Sequence, residues 1–344
     1  MAFTNAEIAE CLALVANEYT DHRKKALKKG SRAAFMWDEE AEAVLESGRS
    51  LTDLPRVGPW LARLIEGWIE DPPGRAEKSP LRRDFMTMSQ ALTVLDDAPE
   101  WREELKGDLQ MHSTYSDGGG AIAEMAAVGD ELGHEYISIT DHSKGLKIAG
   151  GIDEETLARQ ADEIAEVNDV LAGSGSDLRV LRSIEVNLNP QGEVDMDDAA
   201  LRSLDVVVGS FHSKLRVKED QTERYLAALR NPYVDILGHP RGRVYNFRLG
   251  LTADWPRVFA AAAENDKAIE INCYPDRQDL NRDLLKVAAE SGCRLSLGTD
   301  SHAPYQLPNI RLGLAAAASV GIERSRIVNF MPRDELLEWA AGNG

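Results

Sequence analysis

From about residue 104 onward, short apolar runs alternate with longer amphipathic stretches, and they do so seven times. Runs of strand length lie around Asp108–Met111, Tyr136–Ile139, Val180–Val186, Leu204–Gly209, Val234–Leu237, Ala268–Ile271 and Cys293–Leu297. Helical spacing separates most of them, over Ile122–Leu132, Glu154–Leu171, Asp254–Asn265 and Leu280–Ser291. Such alternation predicts parallel strands, because a helix must carry the chain back across the sheet before the next strand begins. An open doubly wound sheet satisfies the pattern, and seven repeats in about 240 residues favour closure into an α/β barrel.

The first part of the chain follows a different rule. Residues 5–29 and 37–48 place apolar side chains at helical spacing, and "LTDLPRVGPWLARLIEGWIE" (residues 51–70) continues the helical pattern. The Pro- and Gly-containing "EDPPGRAEKSP" breaks it, a further helix is predicted over Leu81–Leu95, and "DDAPEW" reads as a connector. The expected division is therefore a small all-helical domain over 1–98 and an α/β domain over 99–344.

A formal charge of −19 disfavours nonspecific attraction to phosphate backbones or anionic lipid, and no apolar run approaches membrane-spanning length. No membrane partner is expected. The opening "MAFTNAEIAECLALVANEY" lacks a basic start followed by a continuous apolar stretch. Cys11, Cys273 and Cys293 form no C-x-x-C pair, which suits a reducing, cytoplasmic protein better than a disulfide framework.

Five of the seven histidines stand just after predicted strands: His112, His142, His212, His239 and His302. Asp117, Asp141, Glu185 and Asp300 join the same edge, where the loops of a barrel converge. Neutral imidazoles and carboxylates together are the ligand set of zinc, manganese or iron, and a carboxylate such as Glu185 can bridge two cations. One histidine near a strand end is ordinarily a structural residue, whereas five sharing one edge point to a metal cluster. Asp141 is expected to orient a neighbouring ligand, and His22 and His134 are expected to face solvent.

The segments "DLQMHSTYSDG", "ISITDHS", "SIEVNL", "VVGSFHSK", "VDILGHPRGR", "AIEINCYPDRQDL" and "LSLGTDSH" occur in an order that resembles the PHP (polymerase and histidinol phosphatase) superfamily. The likeness covers about residues 104–340 and is greatest to the PHP domain at the C-terminus of bacterial family X DNA polymerases. It implies a distorted (β/α)7 barrel with three divalent metal ions, zinc, manganese or iron, and phosphoester hydrolysis by metal-activated hydroxide. The implied metal ligands are Gln110, His112, Asp117, His142, Glu185, His212, His239, Asp300 and His302, with Glu185, Asp300 and His302 the residues nearest the chemistry. Gln110 departs from the pattern, since many relatives carry histidine there. An amide oxygen is a weaker ligand than imidazole, so one metal site is expected to be looser.

Lys214, Arg241 and Arg243 lie close behind these ligands and are candidates for holding substrate phosphate, and Asn272, after the sixth strand, is expected to line the substrate pocket. Solvated loop charge is an equally good reading of the three cations. The helical opening resembles the start of family X polymerases, with "LPRVGPWLARLI" as a degenerate helix-hairpin-helix. In it Arg56 replaces a glycine and Pro59 removes an N–H. Contact with DNA phosphate and a retained scaffold both remain open for it. Only about 35 residues separate Glu70 from Leu105, too few for polymerase palm and fingers.

The expected substrate is a DNA 3′-end, processed by 3′-5′ exonuclease or related activity, or alternatively a small phosphomonoester of the histidinol phosphate type. Two rival classes stand beside these: an amidohydrolase, disfavoured because no lysine stands where Glu185 does, and a noncatalytic DNA-binding or interaction module.

Overall fold

A computed structural model describes residues 3–74 and 78–342. The chain divides into two compact units, Met1–Asp97 and Ala98–Gly344. Arg75, Ala76 and Glu77, inside the predicted break of the helical region, lie outside the described residues.

The first unit is helical. Its predicted opening helix is two helices, Asn5–Val15 and His22–Ala34, because Asp21 caps the second by accepting from Arg23 N and so restarts the chain. Thr4 and Glu7 form a reciprocal capping box at the start of the first. The stretch predicted as one helix over Leu81–Leu95 is likewise a short turn, Pro80–Arg82, followed by Met88–Asp96, which Thr87 and Gln90 cap in the same way. Ile8, Leu12, Leu27, Val44 and Ile65 are fully buried and form its core. In the hairpin, Gly58 caps the helix Pro59–Glu70, and Arg56 adopts φ +66°, the conformation that glycine would take without strain.

The second unit contains seven parallel strands: β1 (Gly107–Met111), β2 (Tyr136–Ile139), β3 (Arg179–Asn187), β4 (Val206–Ser210), β5 (Ile236–Leu237), β6 (Ala268–Asn272) and β7 (Arg294–Gly298). They pair in sequence order, β1 to β7. The seam between first and last is drawn together above the strands, where His112 N donates to Ser301 O (2.8 Å) and Asp300 N to Gln110 O (2.9 Å). Lower down, Asn329 replaces the missing ladder: its Oδ1 accepts from Leu297 N, and its Nδ2 donates to Gly107 O and Leu297 O. The result is a nearly closed (β/α)7 barrel with helices around it.

Successive strand residues point to opposite faces, and this period of two explains how the barrel carries polar groups inside. In β6, Ile269 and Ile271 alternate with Glu270 and Asn272, and in β3, Ile184 and Val186 flank Glu185, whereas an irregularity between Asp108 and Met111 interrupts the alternation in β1. The apolar set packs outward, Met111, Ile137 and Ile139 against Ile122, Met125 and Ile164 of the surrounding helices. A second cluster, including Leu181, Val208, Ile236 and Ala268, lies on the same inward faces as Glu185 and Glu270 and packs with Leu336 and Trp339 of the C-terminal helix Arg333–Ala341. The polar set is left facing the barrel axis. No described helix is long and apolar enough to cross a membrane.

Candidate metal centre

Glu185 sits at the middle of the C-terminal edge with no solvent exposure. Its two oxygens face different pairs of imidazoles. Oε1 lies 2.8 Å from His239 Nε2 and 3.3 Å from His212 Nε2, while Oε2 lies 2.9 Å from His142 Nδ1 and 3.6 Å from His112 Nε2. Nearer the rim, Asp117 Oδ1 is 3.6 Å from His142 Nε2 and 3.4 Å from His302 Nε2. The His112 ring stacks on His142 at 4.3 Å and approaches His302 at 4.4 Å.

These contacts are short without being hydrogen bonds. Both Glu185 oxygens, Nε2 of His212, both nitrogens of His239 and Nδ1 of His112 and His142 are buried and lack a hydrogen-bond partner. Orphaned buried polar atoms are costly unless something else satisfies them. Two ligands of one cation, each about 2.1 Å from it and about 90–110° apart, lie about 3.0–3.4 Å from one another. The donor spacings cluster around that range, and the donor chemistry is that of a transition-metal site, so the residues present fit divalent cations. Ligand atoms of His112, Asp117, His142 and His302 fall within 4.8 Å of one another, as do those of His142, Glu185 and His212.

Electrostatics gives the same picture. Burial alone would raise the Glu185 carboxyl, but His142, His212 and His239 around it hold it well below the ordinary carboxylate range. Asp300 is treated alike: burial opposes ionisation, and Arg277 followed by His112 overcomes it. Burial lowers His112 and His212, favouring the neutral, metal-binding imidazole. His302 differs: the Asp117 and Asp300 carboxylates beside it overcome its burial and push it up to about 9.

Backbone geometry helps to aim the ligands. His239 (φ +23°) and Asp300 (φ +54°) occupy the left-handed region although neither is glycine, the local strain that packed functional sites tolerate. His302 is turned by Asp300, whose carbonyl oxygen lies 2.7 Å from its Nδ1. Asp141 accepts from Ser113 N, Ser113 Oγ and Gln160 Nε2, which braces the loop after β1 and leaves it outside the ligand cluster.

Gln110 is buried in the axis with its amide nitrogen toward Glu270, donating to Oε2 at 3.1 Å and also contacting Oε1. Sequence reasoning passed over Glu270. Burial and then Asp300 push its carboxyl well above the usual value. The signal was present in "AIEIN", since a polar residue two positions before Asn272 must share its inward face. Asn272 itself donates from Nδ2 to both Glu270 Oε2 and Asp300 Oδ2, 3.2 Å each.

Of the candidate phosphate-binding cations, Lys214 is exposed. Arg241 spends its donors on Leu249 O, Leu251 O and Asn281 Oδ1, and Arg243 is buried. Arg277 was not foreseen: its Nε lies 2.9 Å from Asp300 Oδ2. His134, expected in solvent, is 6% exposed; it follows the helix Ile122–Glu131, and its N donates to Gly129 O, which ties it to the end of that helix. His22 is exposed, as expected.

No family model matches the sequence. The chain is 37% identical over 227 residues to the DNA polymerase/3′-5′ exonuclease PolX of Bacillus subtilis, a match covering 66% of this chain and 39% of that protein. It thus spans well under half the length of that relative. A probable phosphatase of Acetivibrio thermocellus is 30% identical over 195 residues, covering 54% of this chain and 74% of the relative. The crystal structure of histidinol phosphate phosphatase from Lactococcus lactis, complexed with zinc, L-histidinol and phosphate, superposes with a TM-score of 0.45 at 18% identity. The match covers 63% of this chain and 94% of that one.

Proposed function

This chain belongs to the PHP superfamily, and from that premise we propose that it is a metal-dependent phosphoesterase. The observation that carries the reading is Glu185, each of whose oxygens confronts two imidazole nitrogens with no hydrogen bond formed. His212 and His239 would hold one cation with Glu185 Oε1, and His112 and His142 another with Oε2. Asp117 and His302, with His142 beside them, supply donors for a third at the rim, and Asp300 adds a carboxylate next to His112. Divalent cations there would acidify a water toward neutral pH and neutralise charge growing on phosphoryl oxygens.

The protein's own residues do the rest. Burial of Glu185, His112 and Asp300 excludes bulk water and keeps the ligand geometry prepaid. Asn272 and Arg277 grip Asp300 Oδ2, so Oδ1 stays turned toward His112. The Asp300 carbonyl holds His302 Nδ1 and so leaves Nε2 turned toward Asp117 at the rim.

The finer reading is hydrolysis at a DNA 3′-end, supported by the similarity to PolX of Bacillus subtilis. The Acetivibrio probable phosphatase supports the small-phosphomonoester alternative. DNA contact through the hairpin at residues 51–70 stays a secondary proposal, with cytoplasmic location. Rates on a 3′-labelled recessed oligonucleotide and on histidinol phosphate, in manganese or zinc and after chelation, test the reading. Metal-dependent turnover of either substrate is expected; absence of turnover on both, in protein that takes up metal, overturns it.

A further inference from the structure

In a chain of formal charge −19, three guanidinium groups gather beside the centre. Arg277 is the innermost, against Asp300. Next to it stands a small hairpin in which Val244 and Arg248 pair, Val244 N donating to Arg248 O and Arg248 N to Val244 O, 2.9 Å each. Tyr245 N donates to Asp276 O at 2.7 Å, which docks this hairpin on the loop that carries Arg277. The hairpin tip presents Phe247, and Arg216 from the loop after β4 lays its Cζ 4.5 Å from the centre of that ring.

Like charges repel, so such a gathering needs a reason. Among the described residues neither Arg216 nor Arg248 has an acidic ion-pair partner; Arg248 donates Nε to Gly242 O, and Arg216 has only the Phe247 ring. Burial, with Arg277 and Arg216 nearby, pulls Arg248 below the ordinary guanidinium value, an arrangement that an anion would relieve. The rim is also apolar. Of the six large apolar side chains exposed among the described residues, four (Ile148, Phe247, Leu249 and Tyr305) lie on loops following strands, and Phe247 is 58% exposed. An open aromatic face flanked by guanidinium groups is what stacks a nucleobase and holds its phosphate.

We propose that Phe247, Arg216 and Arg248 form a nucleotide subsite beside the metal centre. A base stacks on Phe247 against Arg216, and Arg248 takes a phosphate adjoining the one under attack. The inference rests on the phosphoesterase reading above and narrows its substrate to esters that carry a nucleotide.

Two arms test it with the full chain. In the first, manganese-loaded protein hydrolyses the p-nitrophenyl ester of thymidine 5′-monophosphate and p-nitrophenyl phosphate, and the ratio of the two kcat/KM values is compared among variants. Phe247→Leu and Arg216→Ala are expected to lower that ratio about 10-fold, the scale of losing one base–aromatic stack, while Phe247→Trp retains it. In the second, chelated protein binds a fluorescein-labelled strand of eight thymidines, read by anisotropy, and the same variants weaken binding by a similar factor. Losses in both arms assign the subsite to a strand, and a loss in the first alone to a single nucleotide. Ratios and binding that match wild type in both arms overturn the proposal. If wild type hydrolyses neither ester, the anisotropy arm alone judges the subsite, and the phosphoesterase reading is judged by the oligonucleotide and histidinol phosphate of its own test.

Discussion

Arg277 and His112 hold the two oxygens of one carboxylate: Arg277 Nε is 2.9 Å from Asp300 Oδ2, and His112 Nε2 is 3.1 Å from Oδ1. The guanidinium thereby decides which oxygen faces the imidazoles. Outer partners of this kind typically contribute 10- to 100-fold to metal affinity or activity. Arg277→Met is accordingly expected to lower metal retention or kcat by about 10-fold or more. Arg277→Lys should recover only part of the loss, because a single ammonium cannot reproduce the planar donor set. Metal content after dialysis and initial rates on a phosphoester check both.

Glu185 is the keystone of the proposed centre. Glu185→Gln keeps the shape but removes the charge that faces four imidazole nitrogens. Loss of bound transition metal and a fall of about 100-fold or more in kcat are expected, on the scale of removing a transition-state stabiliser. Cooperative unfolding should survive, since the outward apolar set of the strands does not touch this residue. Elemental analysis and thermal denaturation separate the two effects.

Cations that bind the folded state should stabilise it by mass action. At 100 times the dissociation constant the gain is about 2.7 kcal/mol, or about 5–10 °C in Tm for a unit of this size. Adding manganese or zinc to chelated protein is expected to raise Tm by that amount. The same addition to Glu185→Gln should raise it much less. Calorimetry at fixed protein concentration reads the difference.

His134 offers a pH dependence remote from the centre. Burial lowers its pKa to about 4, whereas the unfolded chain titrates near 6.5. Between those values the unfolded state binds the extra proton, so this contribution to stability is intact above about pH 6.5 and is lost as pH falls toward about 4. The full difference is about 3 kcal/mol. His134→Phe should lose less stability than wild type over that window, and the gap between their urea unfolding curves at pH 7 and pH 4.5 measures it.

Position 110 can be tested against its neighbour. Gln110→His would place an imidazole where Glu270 can accept its ring N–H, the usual arrangement around a metal-binding histidine. One metal is expected to be retained about 10-fold better against a chelator, with the gain abolished in Gln110→His/Glu270→Gln. Gly298 makes room for this pair: a Cβ there would fall 2.7 Å from Gln110 Cβ and closer still to Glu270 Oε1. Gly298→Ala should therefore disturb the same site.

The barrel and the histidines and carboxylates on its edge were legible in one dimension for a common reason. In a β/α repeat the strand ends all point to one edge, so residues that follow each strand are neighbours whatever lies between them. His112, His142, His212, His239 and His302 needed nothing more to be grouped. Period-two alternation also marked Glu270, although a single acidic residue in an apolar strand is easily passed over. The strand limits were less legible: β5 is only Ile236–Leu237, since pairing partners rather than hydropathy set where a ladder stops.

What the linear chain determined by itself, then, was the repeat, the edge and the gathering of histidines and carboxylates along it, because each depends on local periodicity and on the fixed sense of parallel strands. Tertiary structure alone decided which oxygen of Glu185 meets which imidazole, that Gln110 turns to Glu270, and that Arg277, Arg248 and Arg216 gather beside the centre while Arg241 is spent on its own loop. Those residues sit on irregular segments or depend on side-chain rotation. Their neighbours are chosen by how loops from different repeats pack, and no spacing along the chain encodes that.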